Sequence, residues 1–133
     1  MVIGETASEE QRRASAVRSI LRELNTSSGE IEASAAMTTD GFIIGAVLDK
    51  STDEDRFAAM CASLLALAER AAEEVSRGDM KQVMIGGTKG VMLLVRAGED
   101  AVLAVATKPT KNLGMVFVSA KKSAEKIEEL LGQ

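Results

Sequence analysis

The side chains that ordinarily carry chemistry are few in this chain, and their spacing does not suit it. Among 133 residues there is no histidine and a single cysteine, Cys61. A Ser–His–Asp or Cys–His pair therefore cannot form, and the side chain that titrates nearest neutral pH is missing. One Cys without His cannot supply a structural zinc site either, so neither a metal nor a cofactor is expected. The carboxylates Glu73–Glu74 and Glu128–Glu129 are adjacent on helical segments and point in different directions. They read as solvated helix surface rather than an acid/base dyad. Gly86-Gly87-Thr88-Lys89-Gly90 superficially suggests a phosphate loop but lacks the Walker spacing and the following Ser/Thr. It joins two apolar runs, as a hairpin turn does. Arg12-Arg13-Ala14-Ser15 has the form of a basophilic kinase site, a pattern common by chance, inside a segment that reads as helix. Catalysis by this chain alone is not expected.

Composition narrows the function classes further. Hydrophobic residues make up 46% and charged residues 27%, as in ordinary globular domains. A net charge of −4 argues against nucleic acid as a partner, and 2% aromatic residues leave almost no platform for stacking bases. The lone cysteine fits a reducing compartment. No apolar run approaches the ~20 residues of a membrane span, and the charged start MVIGETASEEQRR lacks the apolar core of a signal peptide. The expectation is a cytoplasmic protein without direct membrane insertion. It forms a single domain over residues 1–133, with a core of about 8–132 and a flexible segment 1–7.

The elements follow from periodicity. Ser8 opens a helical segment, with Gln11 completing a capping box. Val17, Ile20, Leu21 and Leu24 recur on one helical face, and the run Asn25–Gly29 breaks it. Ile31, Ala33, Ala35 and Met37 then alternate with Glu32, Ser34 and Ala36, a strand with one better-buried face. Asp40–Gly41 is a hairpin signal because the turn demands positive φ, which Gly tolerates and Asp can accept. Phe42–Leu48 returns as the partner strand. A long helix over Thr52–Arg77 is announced by the capping box Ser51…Glu54, with Asp53 and Asp55 in its first turn. Val83–Ile85 and Val91–Val95 flank the glycine-rich turn, and Gly98-Glu99-Asp100 turns the chain into Ala101–Ala106. VMLLV and AVLAVA barely alternate, so these strands read as central, with helices over both faces. Pro109 stops the last strand and Asn112 opens a final helix. Leu113, Phe117, Ala120, Ala124, Ile127 and Leu131 line its inner face, and Lys121, Lys122 and Lys126 leave its outside basic.

The long helix is the element that needs a partner. From Phe57 to Ala68 its only polar residue is Ser63, and a helix apolar nearly all round must be covered on more than one side. Its many alanines weaken that demand. Phe57, Met60, Leu64, Leu65 and Leu67 still span a wide arc, so a second copy or a partner protein is the economical cover. Cys61 sits in this band and reads as a buried small hydrophobe. The seven methionines, with Met84, Met92 and Met115 among them, read as core filling, while an exposed Met60 would suit an adaptable interface.

The succession of a helix, TTDGFIIGAVLDKS, the Ala/Leu-rich helix, VMIGGTKGVMLLVRAGEDAVLAVAT and NLGMVFVSAKKSAEKIEELL resembles the roadblock/dynein light chain family from about Ser15 to Leu131. Asp40–Gly41, Gly90, the Leu103-Ala-Val strand and Asn112-Leu113-Gly114 carry most of the resemblance. It implies an α/β layered fold, profilin-like, in the order α-β-β-α-β-β-β-α. A five-stranded antiparallel sheet would carry the first and last helices on one face and the long helix on the other. It also implies homodimers that pair their third strands, here about Lys81–Gly87, with the long helices side by side. The interface residues would then be Phe57, Met60, Cys61, Leu64, Leu67 and Ala68 from the helix. Val83, Met84 and Ile85 would come from the strand.

Stand-alone bacterial and archaeal members of that family regulate or scaffold Ras-like small GTPases, some activating hydrolysis, and a bare domain without a lipidation signal resembles these. The resemblance implies a Ras-like GTPase as partner, engaged through Met60, Leu64 and Leu67, with Arg70 and Glu74 giving polar specificity at the rim. Ordering of the GTPase's own switch residues is the expected route if hydrolysis is stimulated. The alternative is an arginine finger from Arg70 or Arg77. Two other readings stand beside this one, an adaptor without GTPase activation and a small-ligand sensory domain. The latter is disfavoured by the scarcity of polar residues in the expected interior.

Overall fold

The computed structural model describes residues 2–132, with side chains described from Ser8 onward; the expectation about residues 1–7 falls outside those side chains. The elements are α1 (Val2–Ser27), β1 (Ile31–Thr38), β2 (Ile43–Val47), α2 (Glu54–Glu74), β3 (Gln82–Gly87), β4 (Gly90–Arg96), β5 (Ala101–Thr107) and α3 (Leu113–Leu131). The five strands form one antiparallel sheet in the order β2-β1-β5-β4-β3.

Two apolar layers hold the sheet between them. On one face Val17 and Leu21 of α1 and Val116 and Ile127 of α3 are fully buried with Leu93, Leu103 and Val105. On the other, Ala58, Cys61 and Leu65 of α2 pack on Met37, Leu94 and Val102. Neighbouring strand residues point to opposite faces, so Leu93 and Leu94, or Val102 and Leu103, serve different cores. That is why VMLLV and AVLAVA are apolar without alternation. The same sandwiching corrects the reading of β1 as a strand with one better-buried face. Ser34 and Ala36 are buried as fully as Ala35 and Met37. Ser34 is tolerated there because its hydroxyl donates to Asn25 Oδ1 at 2.7 Å.

Element ends depart from the sequence reading in definite ways. Ser8 does not cap α1, which already runs through it from Val2, and the helix continues to Ser27. Asp53, not Ser51, caps α2: its carboxylate accepts the Arg56 N–H at 3.1 Å. The Ser51 hydroxyl donates instead to Asp49 Oδ1. The helix closes at Glu74 rather than Arg77, since Ser76 turns left-handed at φ 55°. In the first hairpin only Gly41 has positive φ, at 93°, so the turn is wider than a two-residue Asp-Gly turn. It is pinned by Thr38, whose N–H donates to the Phe42 carbonyl at 2.8 Å and whose Oγ1 accepts the Phe42 N–H. A Cβ on Gly41 would lie 3.3 Å from Ala59 Cα and Ala62 Cβ. The hairpin tip therefore rests on α2, and part of that helix's alanine content is what lets the tip approach.

Candidate interaction surface

The face of α2 turned from the sheet is built on a helical stripe. Met60, Leu64, Leu67, Arg70 and Glu74 are three or four residues apart and so lie on one side of the helix. Leu65 and Cys61, on the opposite side, anchor the helix with 3% and 2% exposure. The stripe is left open: Met60 is 58% and Leu67 62% exposed. Phe57, Leu64 and Ala68 are half-buried along its margin, in contact with the core under α2. Arg70 and Glu74 are exposed.

The edge strand β3, whose Val83 packs against the α2 core, pairs only with β4 among the described residues and leaves its outer edge without a strand. Five of its six residues are exposed, an unusual state for an apolar edge strand, which offers free N–H and C=O groups for pairing. Register decides which of its side chains join the stripe. Val83 pairs with Leu94 and Ile85 with Met92, whose side chains belong to the α2 core, so Val83 and Ile85 face the α2 side. Met84 pairs with Leu93, of the α1/α3 core, and faces the other way. Met84 is 57% and Ile85 42% exposed.

The residues singled out in the sequence are thus partly gathered and partly dispersed. Met60, Leu67 and Ile85 are exposed on the α2 side of the sheet, with Leu64 and Val83 half-buried there. Met84 reaches the same edge from the opposite face. Cys61 is inside the molecule, and burial pushes its thiol pKa up to about 11. It behaves as the small hydrophobe its position implies. Of the two arginines, Arg70 stands on the stripe, whereas Arg77 lies past the helix end and donates through Nε to the Val75 carbonyl at 3.1 Å.

Sequence reasoning passed over a groove of about 650 Å³ at the end of the sheet. Arg96, Glu69, Met80, Phe117, Lys121 and Glu128 are among the residues that bound it. Arg96 lines it, ion-paired with Glu69 and donating through Nε to the Met80 carbonyl at 3.3 Å. The only hint of it in the sequence is a lone arginine ending an apolar strand. Glu69 lies on α2, far from it in sequence, and nothing in the local pattern joins them.

Comparison with known proteins agrees with this architecture. Residues 17–107 match the Roadblock/LC7 domain. The Methanocaldococcus jannaschii protein MJ1340 is 38% identical over 111 residues, which cover 84% of this chain and 96% of that protein. Among solved structures, MglB of Myxococcus xanthus superposes with a TM-score of 0.81 at 16% identity, covering 88% of this chain and 95% of that one. The gliding protein MglB of Thermus thermophilus gives 0.79 at 19% identity, covering 89% and 90%.

Proposed function

The chain belongs to the Roadblock/LC7 domain family, and from that premise we propose that it is a homodimeric regulator or scaffold of a Ras-like small GTPase in the cytoplasm. The observation that carries the proposal is the open, apolar stripe of α2 together with an exposed edge strand, β3, whose Val83 packs against the α2 core. Pairing β3 with β3 of a second copy would satisfy the free backbone groups of both edges. It would bring two α2 helices together and cover Phe57, Leu64, Ala68, Val83 and Ile85. Met60 and Leu67 then serve both self-association and the GTPase, with Arg70 and Glu74 at the polar rim. Cys61, held inside, supports these contacts by positioning the helix rather than by touching a partner.

Stimulation of hydrolysis, where it occurs, acts by ordering the switch segments of the GTPase. Arg70, on the stripe, is the residue best placed to enter the GTPase site instead, with Arg77, past the helix end, as the other candidate. The deciding experiment mixes this protein with a Ras-like GTPase of the same organism and follows complex formation and GTP hydrolysis. The proposal expects a complex that Leu67→Lys abolishes. It also expects that Arg70→Ala changes any acceleration less than about tenfold, whereas loss of an arginine finger would cost about 10³-fold or more. A complex without acceleration narrows the function to scaffolding, and no complex with any such GTPase overturns the reading.

A further inference from the structure

A second open surface lies on the opposite side of the molecule and owes nothing to the GTPase reading. Met115 and Val118 of α3 are 66% and 48% exposed, although α3 packs its other side into the α1/α3 core. With Lys122 they are three and four residues apart, so the three share one outward stripe. The flanks are basic. From Ala101 to Ala124 the chain carries Lys108, Lys111, Lys121 and Lys122 and no Asp or Glu, in a molecule of net charge −4. All four lysines are exposed. Neither of the ion pairs among the described residues, Arg96–Glu69 and Lys126–Glu23, involves them. The acidic residues of α3, Glu125, Glu128 and Glu129, are confined to its last two turns. Charge is thus segregated along the helix, with Lys121 and Lys122 at its middle, ahead of the acidic last two turns.

We propose that the first half of α3 docks the domain on an anionic lipid surface. Two features favour lipid over an acidic protein. The charges are lysines, which suit a diffuse negative surface better than the directional carboxylate pairing that arginine provides. Met115 and Val118 do not line the groove that Phe117 and Lys121 of the same helix border, and they stand out from the surface as residues do that enter a headgroup layer. Docking is peripheral, with the lysine stems lying along the interface, and it leaves the α2 face on the far side of the sheet free.

Sedimentation of the full chain with vesicles tests this. At low salt the protein pellets with phosphatidylcholine vesicles containing phosphatidylglycerol and stays in solution with pure phosphatidylcholine. Lys121→Glu/Lys122→Glu lowers partitioning by at least about tenfold. Met115→Ser/Val118→Ser lowers it while keeping its salt dependence, and Lys50→Glu leaves it unchanged. Unaltered thermal melting of each variant establishes that the fold is intact. The proposal is overturned by failure to pellet with anionic vesicles at low salt, or by binding indifferent to the lysine pair. Binding to polyglutamate or DNA in place of vesicles also overturns it.

Discussion

Gly41 combines two requirements that no other residue type meets. Its backbone is left-handed, and its missing side chain leaves room for α2 at van der Waals distance. Gly41→Ala should therefore cost about 1–3 kcal/mol, read from urea unfolding. Gly86→Ala, with open space around it and ordinary φ, should change stability by less than about 0.5 kcal/mol. Gly90 is stricter, since a Cβ there would overlap the Thr107 carbonyl oxygen, and Gly90→Ala should cost more than Gly41→Ala. Cys61 makes a prediction of another kind. Its thiol stays protonated until about pH 11 in the folded protein, so it should resist iodoacetamide at pH 8 until the chain is unfolded. Because the unfolded chain releases this proton at lower pH, stability should fall as pH rises from about 9 to 11. In Cys61→Ala that alkaline slope should flatten, though the variant is less stable at neutral pH.

At the scale of the element, α2 carries the argument. Its inner side is fixed by Ala58, Cys61 and Leu65, while Met60 and Leu67 contribute little to the monomer's core. Met60→Lys/Leu67→Lys should accordingly leave far-UV circular dichroism unchanged while removing self-association, whereas Leu65→Ala should cost about 2–5 kcal/mol of stability. The type and order of all the elements were legible in the sequence because the two periodicities and the turn residues agree along most of the chain. The ends were less legible. Ser8 and Ser51 both begin a pattern that suits a capping box, but a cap depends on where the backbone leaves the helix, and only Asp53 is so placed. The partition of β3 side chains was legible once register was known, since period two sends Met84 away from Val83 and Ile85. The Arg96–Glu69 pair was not, because tertiary packing alone joins α2 to the end of β4.

The whole molecule presents two unlike sides. One bears the apolar stripe and the free edge of β3; the other bears the basic first half of α3. A dimer formed through the edge would extend the sheet across both copies and turn both α3 helices to the same side. Self-association is the central claim, because the interface and the GTPase-facing surface both depend on it. Size-exclusion chromatography with light scattering at micromolar concentration tests it most directly. The account predicts twice the monomer mass for the native chain and the monomer mass for Met60→Lys/Leu67→Lys. A native chain that elutes as a folded monomer would contradict it.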